Sequence, residues 1–331
     1  MAYSFFNIPR YMPPEAYEKT IDRIVDALKR EKGILSVYRL GNVNHPGISD
    51  IDIIAVFENG AQSSLNIREH LNETGKYLLT HNLAGASRDH FQQLFDYTFW
   101  DNLTCIWGEA LIPELHYNAR NNPHQEACKR QTALEFLTKN YLEVGIQRKY
   151  GIFKLRTLLQ EAKGVRYDLE FLSIQSQPIN NYIRQIITWL DGWFDETPDA
   201  DRLSAWVNGY YQALEETINA QAAKGHVLWL PQKVSLDYGR NTMLYQSERF
   251  EQSFSGISLP ASIIAMHKKI YNANLRLNRF RFGINFTDED PEGILRKRFN
   301  LLKEYQAYNS RHIPYFEPSF SSLANQLVKR G

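Results

Sequence analysis

The chain has little cysteine and no long apolar run. Cys105 and Cys128 are the only two cysteines in 331 residues, and they form neither a C-x-x-C pair nor a cluster with histidine. A disulfide-rich scaffold or a structural zinc site needs more thiols than this. No stretch approaches the ~18 uninterrupted apolar residues of a membrane span. Residues 1–14 also lack the basic start and apolar run of a signal peptide. We therefore expect a cytoplasmic protein without a membrane segment.

An excess of either charge is also missing. Lysine and arginine total 38, and aspartate and glutamate total 37. Proteins that bind long nucleic acid usually carry a clear basic excess, so this balance argues against such a partner. The sequence also lacks the patterns G-x-x-x-x-G-K-[ST], G-x-G-x-x-G, H-E-x-x-H and G-x-S-x-G. These absences remove P-loop enzymes, classical dinucleotide-binding domains, zinc proteases and α/β-hydrolases from consideration.

One segment, residues 38–57, carries an informative pattern. A predicted strand, Ile34–Leu40, is followed by Gly41-Asn42, and after seven further residues a second predicted strand, Asp50–Phe57, begins with Asp-Ile-Asp. Alternate side chains of a strand face the same side, so the Asp50 and Asp52 carboxylates are expected about 7 Å apart. They would repel each other unless a cation lay between them, and Mg²⁺ suits carboxylate ligands. The alternative is a polar strand start with both acids in water.

This pattern resembles the signature of the polymerase-β-like nucleotidyltransferase superfamily. The signature is a hydrophobic residue, Gly and then Gly or Ser, a variable gap, and Asp-x-Asp or Asp-x-Glu between hydrophobic residues. Here Gly41-Asn42 and Asp50-Ile51-Asp52 match it, and the resemblance covers roughly residues 14–118. It implies a small mixed-sheet domain that transfers a nucleoside monophosphate from a nucleoside triphosphate, such as ATP, to an acceptor of small or medium size.

The resemblance also implies roles for individual residues. Asp50 and Asp52 would hold the metal, with two Mg²⁺ ions expected. Gly41 and Asn42 would cradle the β- and γ-phosphates, and Ser49 would assist.

The sequence departs from the family pattern at two places. Asn42 replaces the usual second Gly or Ser, although its amide still offers a donor to a phosphate. The family's third carboxylate is absent from the next predicted strand, Lys76–His81. His81 is a candidate proton acceptor instead, since an ordinary histidine pKa near 6.5 suits that role. A distant acid such as Asp237 is a second option. A third is that catalysis is lost and the protein binds a nucleotide or acts as a scaffold.

The predicted elements give an α+β fold with two domains. In the first domain we expect an alternation of helices and strands: a helix after Pro14, strands at Ile34–Leu40 and Asp50–Phe57, a helix at Ser64–Glu73, a strand at Lys76–His81, a helix at Arg88–Phe95 and a strand at Leu103–Gly108. Pro113–Pro123 is rich in asparagine and lacks apolar periodicity, so we place the boundary there, with domains at 1–118 and 119–331. The second domain is predicted to be larger and mainly α-helical, with one β-hairpin.

Within the second domain, apolar spacing predicts helices at 123–164, 180–194, 202–223, 261–281 and 293–308, and the hairpin strands at 227–230 and 242–245. Lys149 and Arg156 are seven apart on the first of these helices and would share a face. That face would meet the triphosphate, or it would simply lie in water. A second basic run includes Arg279 and Arg281 beside aromatic residues. It would hold an anionic acceptor, or place the aromatic side chains inward and the basic groups in water.

Overall fold

The structure is a computed structural model in which the chain forms two compact units. It describes residues 3–95, 97, 99, 102–112, 123–175, 178–238, 241–257, 259–264, 268–318, 323 and 327. The sheet unit comprises Arg10–Lys129 and Lys297–Ser321, and the helical unit comprises Met1–Pro9, Arg130–Arg296 and Ser322–Gly331. The predicted boundary at 118/119 falls within 113–122, outside the described residues.

The strands and helices alternate early in the chain, and helices dominate its middle. The strands are β1 (Ser4–Phe6), β2 (Ile34–Leu40), β3 (Asp52–Phe57), β4 (Ala84–Ser87), β5 (Leu103–Gly108), β6 (Ile152–Lys154), β7 (Leu228–Trp229), β8 (Ser235–Tyr238), β9 (Thr242–Gln246), β10 (Glu251–Gly256), β11 (Asn278–Ile284) and β12 (Phe286–Thr287). The helices are α1 (Pro14–Leu28), α2 (Glu73–Leu78), α3 (Arg88–Leu94), α4 (Pro123–Tyr150), α5 (Leu155–Phe171), α6 (Pro178–Asp191), α7 (Ala200–Ala223), α8 (Ala261–Ile264), α9 (Lys268–Arg276) and α10 (Ile294–His312). The expected α+β class is confirmed.

The sheet unit is built on a mixed four-stranded sheet. Its strand order is β4-β3-β2-β5, with β2 antiparallel to both β3 and β5, and β3 parallel to β4. Ile53, Ala55 and Phe57 alternate along β3 and face a buried cluster to which α1 and α2 contribute. Phe316, from the chain segment after α10, packs edge-on against Phe57 at 5.1 Å between ring centroids. Residues from both pieces of the unit therefore form one core.

The turn that follows β2 is fixed by two tyrosines. Tyr17 on α1 is 1% exposed, and its hydroxyl donates to the Ser49 carbonyl (2.9 Å) and accepts from the Gly47 N–H (2.8 Å). Tyr77 on α2 donates to the Gly47 carbonyl (2.6 Å). Backbone groups in a buried turn need such partners, because the turn has no strand neighbour to supply them. The two helices thus set the path of the chain into β3.

The helical unit contains α5, α6, α7 and several small sheets. One sheet is the parallel pair β1 and β6, another is the parallel pair β7 and β12, and the largest has the order β10-β11-β9-β8. The predicted hairpin is present between β8 and β9. Its first strand was misplaced, however, because Leu228–Trp229 pairs with Phe286–Thr287 instead.

The predicted helix at 261–281 is wrong at its end. The described part of α9 stops at Arg276, and β11 follows. In β11, Phe280 and Phe282 are fully buried, whereas Arg279 and Arg281 are exposed. This period-2 alternation is the signature of a strand. The aromatic side chains point inward, as one of the two interpretations of this basic run expected.

The region between β3 and β4 also differs from the prediction. The predicted strand at 76–81 is wrong, because residues 73–78 form α2, whose first turn is capped by the Asn72 side chain accepting from the Gly75 N–H (2.9 Å). The predicted helix at 64–73 is reduced to a single 3₁₀ turn at Ile67–Glu69. A short apolar run such as Tyr77-Leu78-Leu79 fits either a strand or a buried helix end. Periodicity alone therefore could not distinguish a strand from a helix in this segment.

Among the described helices, none combines the length and the apolar character that a membrane crossing requires.

Replacing Tyr17 with phenylalanine should lower the free energy of unfolding by about 1–3 kcal/mol, because two buried backbone groups would lose their hydrogen-bond partner while the ring stays. Urea denaturation of the wild type and the Tyr17→Phe variant measures this loss. Tyr315→Phe is the matched control, since Tyr315 is 45% exposed. Equal stability of the two variants would contradict the role given to the Tyr17 hydroxyl.

Candidate functional site

The strand β3 begins at Asp52 and not at Asp50. Asp52 pairs with Leu40, the last residue of β2, and the chain then turns away at Gly41, which has φ +69°. With no neighbour beyond Leu40, the antiparallel pairing cannot extend to Asp50. The predicted strand start at Asp50 is therefore two residues too early, although a carboxylate oxygen of Asp50 and one of Asp52 do lie within 4.8 Å of each other. Asp50 is instead placed by the turn, where the Ile51 N–H donates to the Leu78 carbonyl (3.1 Å).

Both acids nevertheless lie beside His81. The Nε2 atom of His81 is 2.9 Å from Oδ1 of Asp52 and 4.0 Å from Oδ2 of Asp50. The Thr80 hydroxyl donates to the same Asp50 oxygen (2.5 Å). One ligand atom from each of Asp50, Asp52 and His81 lies within 4.8 Å of the others. The three groups could hold a single metal ion.

The orientation of the His81 ring is set by its other nitrogen. Nδ1 lies 2.6 Å from the Asn82 carbonyl oxygen, which can only accept a hydrogen bond. Nδ1 therefore carries a proton, and Nε2 is the atom presented to the two acids. Metal-binding histidines usually have this arrangement, with the remote nitrogen donating to a carbonyl or carboxylate. The arrangement leaves Nε2 to bind a proton or an ion.

The acids make His81 more basic than usual. Burial alone would lower its pKa, but the hydrogen bond and charge of Asp52, the Asn82 carbonyl and the charge of Asp50 together raise the pKa from 6.5 to about 9. At neutral pH in the absence of a metal ion, His81 is thus an imidazolium placed between two carboxylates. Its positive charge occupies the place that a cation would take.

The cluster is open to solvent. The side chains of Asp50, Asp52 and His81 are 23%, 43% and 39% exposed. A cation could reach the carboxylates without a change in the core. Two oxygens suit Mg²⁺, and adding the imidazole nitrogen widens the choice to ions such as Mn²⁺ or Zn²⁺.

The predicted phosphate-binding residues lie on the turn between β2 and β3. The Gly41 N–H donates to the Asn102 carbonyl (2.9 Å), so this donor is already used. The space where a Gly41 side chain would stand is open, with no atom within 4 Å. Asn42 is exposed. Ser49 is buried, and its hydroxyl accepts from the His45 N–H (3.3 Å), so it stabilises the turn.

Lys149 and Arg156 do not share a helix face. Gly151, with φ +67°, ends the first helix after Tyr150, and β6 separates it from α5. The Lys149 ammonium lies 4.9 Å from the centre of the Phe254 ring. Arg156 is 2% exposed. Both residues belong to the helical unit, and their contact with a triphosphate stays a prediction.

Some residues that shape the cluster escaped the sequence analysis. Thr80 and Asn82 flank His81, yet neither residue type draws attention in a loop. Glu317 lies 235 positions from Asn82 and accepts from its side-chain amide (3.4 Å). No local pattern links residues so far apart. A tyrosine placed among the apolar residues of α1, such as Tyr17, was a visible signal, because a buried tyrosine hydroxyl usually has a polar partner.

Comparisons of this chain with protein-family models, with curated proteins and with solved structures found no match. The mixed sheet and the group formed by Asp50, Asp52 and His81 are therefore the observations on which a functional interpretation depends.

The stability of the metal-free protein should depend on pH through His81. Because the folded-state pKa of about 9 exceeds the unfolded value of 6.5, the charged His81 stabilises the fold fully below about pH 6.5 and loses this contribution as the pH rises through 9. Denaturation in EDTA between about pH 6 and pH 10 measures it, with His81→Gln as comparison. The wild type should lose its advantage over the variant across this range; a constant difference would contradict the ion pair.

Proposed function

We propose that this protein is a metal-dependent nucleotidyltransferase of the polymerase-β-like type. It would transfer a nucleoside monophosphate from a nucleoside triphosphate to a small or medium acceptor, such as a sugar, a phosphosugar or another hydroxyl- or phosphate-bearing metabolite. Two Mg²⁺ ions would serve as cofactors. The balanced charge of the chain favours such acceptors over long nucleic acid.

The observation that carries the proposal is the position of the two acids. Asp52 begins the second strand of an antiparallel pair in a mixed four-stranded sheet, Asp50 precedes it by two residues, and seven residues separate Asp50 from Gly41-Asn42. His81 joins them from the segment that leads into the next strand. The superfamily signature implies metal ligands at the two acids, and His81 takes the place near them where the family has a third carboxylate.

In the proposed reaction, each of these residues has a separate role. The acceptor oxygen attacks the α-phosphorus, the bond from that phosphorus to the bridging oxygen breaks, and pyrophosphate leaves. Bound divalent ions would polarise the α-phosphate and neutralise the leaving group. Asp50 and Asp52 would hold the ions. Nε2 of His81 would accept the proton of the acceptor, because neutralising the carboxylates would remove the cause of its raised pKa. The amide of Asn42 would contact the outer phosphates.

The composition of β4 favours a second candidate function, which is binding without catalysis. Its four residues are Ala84, Gly85, Ala86 and Ser87, and none is an acid. The superfamily's third carboxylate would be expected on this strand. A protein that binds a nucleotide and a metal without turnover, as a sensor or a scaffold, would need Asp50 and Asp52 but not that carboxylate.

Asp52→Asn should abolish nucleotidyl transfer and reduce metal binding while the fold stays intact, because the amide removes a charged ligand without changing the side-chain volume. We would first record thermal melting with each of the four NTPs, with and without Mg²⁺. A ligand that binds the folded state at 100 times its Kd adds about 2.7 kcal/mol of stability. The NTP that raises the melting temperature only with metal identifies the donor for a pyrophosphate-release assay with candidate acceptors.

Asp26→Asn is the matched control, since Asp26 lies on α1 with an exposed side chain. It should behave as the wild type. Retained turnover in the Asp52→Asn variant would disprove the catalytic assignment. A metal-dependent rise in melting temperature without pyrophosphate release across the acceptor panel would favour the binding protein, and no rise with any NTP would exclude both functions.

A further inference from the structure

The edge of the sheet beside β4 is covered by a segment from much later in the chain. The Glu317 N–H donates to the Leu83 carbonyl (2.8 Å), and the Gly85 N–H donates to the Glu317 carbonyl (3.0 Å), which pairs Glu317 with Ala84 in a parallel bridge. The Tyr305 hydroxyl and the Asn309 side-chain amide both donate to the Gly85 carbonyl (2.6 and 3.0 Å). The backbone of residues 83–85 is thus fixed largely by residues 305–317.

The close fit at Gly85 shows that this contact is specific. A side chain at residue 85 would place its Cβ 2.6 Å from the Phe316 Cβ, which is closer than two such atoms can approach. Phe316 lies on the face of the sheet that also contains Ile53, Ala55 and Phe57. Glu317 pairs with Ala84, and Ala84 pairs with Ile54, so the Glu317 side chain is expected on the opposite face. Asp52 is on that face too, because it precedes Ile53 by one position.

Glu317 is not a member of the group of possible ligands formed by Asp50, Asp52 and His81, whose ligand atoms lie within 4.8 Å of one another. Its side chain is linked to the cluster through Asn82, with which it forms a hydrogen bond (3.4 Å).

Asn82 connects Glu317 to the cluster. Its side-chain amide donates to Oε1 of Glu317 (3.4 Å), and its backbone carbonyl accepts from Nδ1 of His81 (2.6 Å). Nε2 of His81 faces Asp52. We propose that Glu317 is a positioning residue that, through Asn82, holds the His81 ring with Nε2 directed at the two acids. In this proposal Glu317 acts as a hydrogen-bond acceptor, and its charge is not required.

This inference extends the proposed function, since it concerns how His81 is prepared for an ion or a proton. It differs from a catalytic role for the acid. A third carboxylate that binds metal or accepts a proton must be charged, whereas an acceptor of one hydrogen bond can be an amide oxygen. Glu317→Gln and Glu317→Ala therefore separate the two possibilities.

The experiment uses the full chain with Glu317→Ala, Glu317→Gln and the control Tyr315→Ala, an exposed residue of the same segment. In metal-free protein, ¹⁵N NMR of the histidine rings detects the hydrogen-bonded Nδ1–H of His81, assigned by its loss in His81→Gln. Calorimetry with Mn²⁺ measures affinity, and pulsed EPR detects nitrogen close to the bound ion. Circular dichroism checks the fold of each variant, and Asn82→Ala removes the same contact if Glu317→Ala does not fold.

We expect Glu317→Ala to lose the Nδ1–H signal and to bind Mn²⁺ about tenfold more weakly, a typical effect of losing a partner behind a metal-site residue. Glu317→Gln and Tyr315→Ala should match the wild type. An unchanged Glu317→Ala protein, or a Glu317→Gln protein as impaired as Glu317→Ala, would overturn the proposal. If the wild type binds no Mn²⁺, the proposed function fails, and the NMR signal alone still decides whether Glu317 positions His81.

Discussion

The repulsion between two carboxylates is the constraint on which the site depends. Asp50 and Asp52 are two positions apart and converge on one nitrogen atom of His81. Without a positive charge between them, the acids would be driven apart or would bind protons. In the metal-free chain the imidazolium supplies that charge. The turn held by Tyr17 and the capped start of α2 bring the acids and the histidine together, so the local fold and the charge balance support each other.

In the proposed function, the proton on His81 and a divalent ion would compete for the same place. A cation bound to both acids would remove the cause of the high pKa of His81. The ring would then release its Nε2 proton and become either a ligand or a base. Binding of the cofactor and preparation of the base would thus be one event. This coupling suits a site that must stay inactive until metal and nucleotide are both present.

The sequence predicted the parts of this site that depend on local pattern. Two strands, Ile34–Leu40 and Leu103–Gly108, were predicted with the bounds that the structure has. The sequence pattern alone indicated Asp50, Asp52 and His81 as site residues, although the strand begins two residues after Asp50. The strand β3 begins only at Asp52 because its partner β2 turns away at Gly41. A local sequence pattern does not show which strands will pair. The helix break at Gly151 separated Lys149 from Arg156 for a similar reason, since residues 152–154 pair with the distant β1.

The bridge between Ala84 and Glu317 has a consequence for how the protein is made. The sheet unit is assembled from two stretches of chain, and the whole of residues 130–296 lies between them in sequence. During synthesis, β2, β3 and β5 leave the ribosome long before residue 317 exists. Until then the outer edge of β4 is unpaired, and an open strand edge can pair with other chains. This bridge closes a loop of more than 200 residues, and such a contact forms slowly compared with local contacts. A nascent or truncated chain would expose this edge, which adjoins the group formed by Asp50, Asp52 and His81.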